Sequence, residues 1–88
     1  MQVLVTGSSG LIGSAAVRHW DALGADCIGI DNDMRATFFG AEGSTHWNLQ
    51  QLLSETRRFQ HQPLDIRDRA ALAELFARHR FDLIIHCA

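Results

Sequence analysis

The sequence has no tyrosine, one proline and two cysteines among its 88 residues, and it has no excess of positive charge. Two cysteines are too few for the disulfide framework of a small secreted domain, so Cys27 and Cys87 are expected to be free thiols in a reducing compartment. The formal net charge is −2, which provides no electrostatic basis for binding nucleic acid or an acidic membrane surface.

Long hydrophobic runs and metal-ligand spacings are missing as well. No apolar stretch approaches the roughly 18 residues that a membrane span needs, and no basic segment precedes the first apolar run as it would in a signal peptide. The five histidines show no His-x-x-x-His or Cys/His spacing, so no metal site is predicted. These features favour a cytoplasmic protein whose partners include neither nucleic acid nor membrane.

The composition is that of one small globular domain, with 47% hydrophobic residues. Short apolar runs, which are typical of strands, alternate with segments of helical period. The predicted strands are 2–6, 26–31, 59–62 and 82–88, and the predicted helices are 11–23, 45–57 and 69–79. Right-handed crossovers between parallel strands give the strand order 3-2-1-4. The predicted fold class is therefore α/β, a Rossmann-like doubly wound parallel sheet present in part, with the chain ending at its fourth strand.

Helical spacing assigns a buried face to each predicted helix. The expected buried positions are Ile12, Ala16, His19 and Leu23 in the first helix, Leu49, Leu52, Leu53 and Thr56 in the second, and Leu72, Leu75 and Phe76 in the third. Gly24 is expected to end the first helix in a left-handed conformation. Ser44 or Thr45 is expected to cap the second helix, and Asp68 the third.

The turn between the first strand and the first helix carries a glycine at every third position. Gly7 allows a tight reversal that would be strained with a side chain. Gly10 removes a Cβ where a phosphate would approach the backbone, and Gly13 lets the helix pack closely on the strand. The amides at the helix start then form an anion site. The spacing differs from the commoner G-x-G-x-x-G, and the alternative is a glycine-rich turn that binds no ligand.

An acidic residue, Asp31, ends the second strand close to the spacing of about 20 residues at which a carboxylate meets the adenosine ribose of a dinucleotide. A carboxylate accepts hydrogen bonds from both ribose hydroxyls and repels a 2′-phosphate, so the predicted ligand is NAD. Arg35 leaves NADP open, because an arginine there can hold the 2′-phosphate or stack on adenine. Asp65 and Cys87 also fall at carboxyl ends of predicted strands, on the same edge of the sheet.

The segment from Thr6 to Gly13 fits the T-G-x-x-G-x-[IL]-G turn of the extended short-chain dehydrogenases/reductases, also called the NAD-dependent epimerase/dehydratase family. The chain resembles the N-terminal part of these enzymes along essentially its whole length, residues 1–88. The resemblance implies NAD as cofactor and a set of residues that bind it. Together with Arg35, the predicted cofactor-binding residues are Gly7, Ser9, Gly10, Leu11, Ile12, Gly13, Asp31, Asn32, Asp65, Ile66, Cys87 and Ala88. By resemblance, Asp65 and the next amide meet adenine, and Cys87 and Ala88 lie beside the pyrophosphate and ribose.

Within that family, residues 31–48 are similar to those of CDP-paratose 2-epimerases, also called CDP-tyvelose epimerases. The resemblance implies a nucleotide-sugar substrate. It also implies that tightly held NAD oxidises the C2 hydroxyl of the sugar and that the hydride returns to the other face of the ketone. Another nucleotide-sugar epimerase or dehydratase of the family is the alternative.

The catalytic Ser/Thr and the Tyr-x-x-x-Lys of this family come later in the fold, and this sequence has no tyrosine. The resemblance therefore implies an N-terminal fragment that carries much of the cofactor site, holds no catalytic residue and is inactive alone. A non-catalytic dinucleotide-binding module of the same fold is a second interpretation. A third is a truncated chain that forms a homo-oligomer through the bare edge of its fourth strand.

Overall fold

The computed structural model describes residues 1–31 and 46–87, which contain three helices and a single parallel sheet of four strands. The elements are β1 (Gln2–Thr6), α1 (Leu11–Ala22), β2 (Asp26–Ile30), α2 (His46–Glu55), β3 (Phe59–Gln62), α3 (Arg69–Arg78) and β4 (Leu83–His86). The strand order is β3-β2-β1-β4, and all three pairings are parallel. The prediction of a Rossmann-like α/β fold is confirmed.

Strand β1 is central because its side chains are apolar on both faces. Val3, Leu4 and Val5 are almost completely buried, as expected for a parallel strand that is covered by helices on both sides. The more polar β3, with Gln60 and His61, lies at one edge of the sheet, which confirms its prediction as an edge strand.

Two hydrophobic cores lie on opposite faces of the sheet. On one face, α1 and α2 cover the core that contains Val3, Val5, Val17, Ala25, Cys27 and Leu52. On the other face, α3 covers the core that contains Leu4, Ile28, Ile30 and Leu75. Helices on both faces are the defining feature of a doubly wound sheet, and this layering leaves the carboxyl ends of the strands open at one edge.

The predicted buried face of α1 is wrong at Ile12, His19 and Leu23, which are exposed, whereas Ala16 is half-buried against the core as predicted. Ile12 and Leu23 are 73% and 65% exposed, whereas the residues of α1 that are buried are Gly13, Ser14 and Val17. At the start of the helix the buried residues, Gly13 and Ser14, are small, because the close approach of two backbones at Gly13 leaves no room for large side chains. The predicted buried faces of α2 and α3 are correct at Leu52 and Leu75, which are buried. They are wrong at Leu53 and Phe76, which are 43% and 46% exposed.

Two predicted helix ends, at Gly24 and at Asp68, are confirmed. Gly24 has φ of +86°, which confirms the left-handed end of α1. The carboxylate of Asp68 accepts a hydrogen bond from the Ala71 N–H at 3.1 Å, which confirms the N-cap of α3. The predicted caps Ser44 and Thr45 lie outside the described residues.

Both cysteines are free thiols, as predicted. Burial, with a smaller contribution from Asp21 and Asp26, raises the pKa of the Cys27 thiol to about 11, so that it stays protonated at neutral pH and packs as an apolar group. Among the helices that the structure describes, none has the length and apolar character needed to cross a membrane. Association of copies through the outer edge of β4 stays a prediction.

Candidate functional site

The turn between β1 and α1 is fixed to the end of β2. Gly7 has φ of +68°, the left-handed conformation that favours glycine, as predicted. Its N–H donates to the Ile30 carbonyl at 2.8 Å, and its own carbonyl accepts from the Gly10 N–H at 3.1 Å. The turn therefore lies at the carboxyl edge of the sheet and is hydrogen-bonded to the end of β2.

Gly13 is required by close contact between α1 and this turn. A Cβ at Gly13 would lie 2.1 Å from the Gly7 carbonyl oxygen and 2.7 Å from its carbon, which confirms the predicted close packing. A Cβ at Gly10 would meet the same oxygen at 3.3 Å, so a methyl group there needs only a small adjustment on the protein side. These protein contacts do not test whether Gly10 leaves space for a phosphate, so that role stays a prediction.

The start of α1 presents backbone amides without a capping side chain. Gly10 is the N-cap, and no side chain in the described ranges 1–31 and 46–87 caps the helix there. The first helical hydrogen bond runs from the Ser14 N–H to the Gly10 carbonyl at 2.9 Å, so the amides of Leu11, Ile12 and Gly13 precede the hydrogen-bonded ladder. The first turn of the helix also contains no acidic residue that would repel an anion.

Asp31 lies against the glycine turn. Its carboxylate oxygen Oδ2 accepts a hydrogen bond from the Ser9 N–H at 3.1 Å, and its side chain is half-buried. The hydroxyls of Ser8 and Ser9, in the same turn, are buried, and neither has a hydrogen-bond partner in the part of the chain that the structure describes. The structure thus brings together the acid and the turn that the sequence assigned to one dinucleotide site.

The ends of β1 and β4 are also bonded to each other at this edge. The Thr6 hydroxyl and His86 Nδ1 are 2.6 Å apart, and the Cys87 N–H donates to both the hydroxyl and the carbonyl of Thr6 at 3.0 Å. The backbone of Cys87 consequently lies next to the turn that follows β1. Its contact with a cofactor stays a prediction.

Asp65 is bound by Arg67 rather than presented as an open carboxylate. The guanidinium contacts both carboxylate oxygens, with the closest pair, Nη2 and Oδ2, 2.7 Å apart, and the Arg67 N–H donates to Oδ1 at 2.9 Å. These hydrogen bonds lower the pKa of Asp65 to about 2. Ile66 is 36% exposed next to it. The predicted contact of Asp65 and Ile66 with adenine stays a prediction.

Arg67→Met is expected to raise the pKa of Asp65 from about 2 towards its ordinary value of 3.8, because the side-chain hydrogen bonds and the positive charge that favour the carboxylate are removed. The stabilisation from this pair is present above the ordinary pKa and is lost as the pH falls towards 2. An NMR titration of the Asp65 carboxyl carbon measures the shift. Arg69→Met, which removes an exposed arginine nearby, should leave this pKa unchanged; an equal rise in both variants would contradict the assignment.

Residues 3–88 match the family described as NAD dependent epimerase/dehydratase. The chain belongs to this family. It is 35% identical over 91 residues to a dTDP-glucose 4,6-dehydratase of Escherichia coli, and 38% identical over 88 residues to the UDP-glucose 4-epimerase of Mus musculus. The alignments cover 100% and 99% of this chain but 22% and 25% of those relatives.

A solved structure gives the same assignment. The UDP-glucose 4-epimerase of Bifidobacterium longum, crystallised with NAD⁺ and UDP, superposes with a TM-score of 0.80 at 28% identity, over 100% of this chain and 24% of its own. This epimerase/dehydratase chain thus spans about a quarter of the length of the relatives that it matches. The predictions of the family and of NAD as the family's cofactor are confirmed. The finer likeness to CDP-paratose 2-epimerases is not shown by these relatives, which are named for dTDP-glucose and UDP-glucose.

Two residues at the site of this epimerase/dehydratase chain were missed by the sequence analysis. A Cβ at Gly29 would lie 2.3 Å from the Ser8 hydroxyl oxygen and 2.5 Å from a ring carbon of Phe59, so Gly29 makes room for Ser8. A glycine inside an apolar strand is a recognisable sign of such an approach. The other residue is Asn48 of α2, whose side chain binds the turn. No local pattern in the sequence indicates that contact.

Three predicted site residues of the family, Asn32, Arg35 and Ala88, lie outside the described residues. In the described ranges, no three histidine, cysteine, aspartate or glutamate side chains are grouped so that they could hold a metal ion.

Proposed function

We propose that this chain is the NAD-binding part of a nucleotide-sugar epimerase or dehydratase. The observation that carries the proposal is the hydrogen bond from the Ser9 N–H to Asp31, which holds a ribose-binding acid directly against an anion-binding turn. Neither feature alone specifies a dinucleotide. Together they suit two neighbouring groups of a dinucleotide: a pyrophosphate, which needs N–H donors, and a ribose, whose hydroxyls need an acceptor.

In this proposal the pyrophosphate lies over the bare Gly10 and accepts hydrogen bonds from the amides of Leu11 and Ile12. The uncapped helix start and the absence of acidic residues in its first turn support this placement. Asp31 accepts hydrogen bonds from the adenosine ribose hydroxyls, with Asp65 and Ile66 at adenine and Cys87 beside the ribose. Bound NAD supplies a hydride acceptor that can return the hydride.

We further propose that these 88 residues contribute cofactor binding to a longer enzyme and take no part in its proton transfers. The sequence contains no tyrosine, so it offers no phenol to act as a base. The chain matches about a quarter of the length of each relative, which supports a longer enzyme whose proton transfers are carried out by other residues. Residues 1–88 then form the N-terminal part of its Rossmann domain.

The substrate proposed for that enzyme is a CDP-sugar, on the likeness of residues 31–48 to CDP-paratose 2-epimerases. The alternative is a UDP- or dTDP-sugar, as in the names of the relatives reported above. Turnover of CDP-paratose or CDP-tyvelose by the longer enzyme, with UDP-glucose and dTDP-glucose as competitors, separates the two. Turnover of UDP-glucose or dTDP-glucose alone would contradict the CDP-sugar.

Gly10→Ala tests the placement of the pyrophosphate. Among the described residues the new methyl group meets only the Gly7 oxygen, at 3.3 Å, so the free energy of unfolding should fall by less than about 1 kcal/mol, the usual preference of an N-cap for glycine over alanine. The same methyl group occupies the path of the phosphate, so NAD affinity in calorimetry should fall about tenfold, or about 1.4 kcal/mol.

Gly24→Ala is the matched control for Gly10→Ala. It places a methyl group at a φ of +86°, at the far end of α1 from the turn, where no atom of residues 1–31 or 46–87 lies within 4 Å. It should therefore cost about 1 kcal/mol of stability without changing NAD affinity. Unchanged NAD affinity in Gly10→Ala would argue against a phosphate at this position.

A further inference from the structure

Asn48, near the start of α2, reaches across to the glycine turn with its side-chain amide. Its Nδ2 lies 2.8 Å from the Ser9 carbonyl oxygen, 3.0 Å from the Ser14 hydroxyl and 3.3 Å from the Gly10 carbonyl oxygen, so its two hydrogens serve three acceptors and one of them is shared. Only the NH₂ end of the amide can donate to two carbonyl oxygens, so these contacts fix which way the side chain faces. The side chain is half-buried between the two helices.

The hydroxyl of Ser14 completes the same network. It donates to the Leu11 carbonyl at 3.1 Å and lies within hydrogen-bond distance of both Asn48 and Arg18, at 3.0 and 3.3 Å. A hydroxyl has one donor and two acceptor positions, so these three contacts use all of them. Arg18 in turn forms an ion pair with Glu55 at the other end of α2, at 2.7 Å. Helix α2 is therefore bonded to α1 at both ends.

The carbonyls that Asn48 contacts belong to the two peptide units on either side of Gly10. Because a peptide unit is planar, holding its carbonyl oxygen also sets the direction of its N–H. The unit of the Ser9 carbonyl carries the Gly10 N–H, which is bonded to the Gly7 carbonyl. The unit of the Gly10 carbonyl, which also accepts the Ser14 N–H, carries the N–H of Leu11 at the open start of α1.

We infer that Asn48 is a positioning residue for the dinucleotide pyrophosphate: by holding the Ser9 and Gly10 carbonyls, it aims the Leu11 N–H at the phosphate. This inference rests on the proposed function. It assigns to α2 a direct effect on the cofactor site, although no residue of α2 needs to touch the cofactor. The effect is specific to the phosphate end, because the ribose acceptor Asp31 is held by the Ser9 N–H, on a different peptide unit.

A purely structural role makes a different prediction. If Asn48 only joined α1 to α2, its loss would weaken every part of the bound nucleotide to the same extent, through a less populated folded state. If Asn48 aims an amide at the phosphate, its loss weakens ligands that carry a pyrophosphate and leaves adenosine unaffected. ADP and adenosine therefore separate the two roles, since they share the adenosine and differ in the phosphates.

The experiment measures the affinities of NAD, ADP and adenosine in Asn48→Ala and Asn48→Asp by calorimetry or competition. Both variants remove the donor, and Asn48→Asp also places oxygen atoms against the two carbonyls. The dissociation constants of NAD and ADP should rise about tenfold, the usual effect of leaving a hydrogen-bonded group without its partner. The dissociation constant of adenosine should change by less than about twofold.

Gln50→Glu is the control for charge, because it adds the same negative charge to the same helix at an exposed position. It should leave all three affinities unchanged. In ¹⁵N-labelled protein without ligand, the Leu11 amide signal should move in both Asn48 variants and stay in place in Gln50→Glu.

Equal losses for ADP and adenosine, unchanged ADP affinity, or unfolding of both Asn48 variants would each overturn the positioning role while leaving the proposed function intact. Failure of the unsubstituted chain to bind NAD would overturn both.

Discussion

Gly13→Ala is expected to lower the free energy of unfolding by about 3 kcal/mol, the upper part of the range for overpacking a tight contact. Glycine to alanine inside a helix normally stabilises a protein by about 1 kcal/mol, so the expected effect has the opposite sign. The reason is that the new Cβ would lie 2.1 Å from the Gly7 oxygen, 2.7 Å from its carbon and 3.0 Å from the Ser8 Cα. All three are backbone atoms, so no side chain can rotate away.

The same substitution should lower NAD affinity at least about a hundredfold. To relieve the contact, α1 has to move away from the turn, and the amides at its start then move away from the pyrophosphate. Losing two charge-assisted hydrogen bonds, each contributing about 1.5 kcal/mol, corresponds to this factor. Denaturant titration measures the stability, and calorimetry on the fraction still folded measures the affinity.

Ala15→Gly is the matched control, because it exchanges the same two residues in the opposite direction at an exposed position of α1. It should cost about 1 kcal/mol through helix propensity alone and leave NAD affinity unchanged. A Gly13→Ala variant as stable as the unsubstituted chain would contradict the close contact between α1 and the turn.

The second large effect concerns the choice between NAD and NADP. With Asp31 in place, NAD should bind about a hundredfold more tightly than NADP, because a carboxylate next to a 2′-phosphate costs several kcal/mol. In Asp31→Asn, which keeps the shape of the side chain and removes its charge, the preference should shrink to less than about tenfold. NAD itself should bind more weakly, since the amide is a poorer acceptor for the ribose hydroxyls.

Asp26→Asn is the control for this prediction. Asp26 is the first residue of β2, at the opposite end of the strand from Asp31. Its ion pair with Arg58, at 3.4 Å, is exposed and contributes little to stability. The variant should keep both the preference and the affinity. NADP binding as tightly as NAD to the unsubstituted chain would show that Asp31 does not select the cofactor, and would point to Arg35 instead.

The sequence was sufficient to predict the strand order and the proximity of Asp31 to the glycine turn. Val3, Leu4 and Val5 form an apolar run that only a doubly covered parallel strand can bury, which places β1 in the centre. Gly7 and Asp31 follow strand ends, and the carboxyl ends of parallel strands meet at one edge. These predictions depend on chain order and on backbone conformation, both of which can be inferred from the sequence.

The parts that could not be predicted depend on contacts between distant segments. The orientation of α1 follows from the backbone contact between Gly13 and Gly7. The spacing of large apolar residues carries no information on this contact, and it predicts a buried Ile12 instead. Asn48 looks like an ordinary polar residue of a helix, and its contact with Ser9 spans 39 positions.

An NMR titration of the ¹⁵N-labelled 88-residue chain with NAD tests the central claim most directly. We expect the amide signals of Gly10, Leu11, Ile12 and Asp31 to shift with one dissociation constant. The signals of Asp21, Arg57 and Arg58, which line a cleft at the opposite edge of the sheet, should stay in place. Saturating shifts in that cleft with none at the glycine turn, or no shifts at all, would contradict the assignment of a cofactor site.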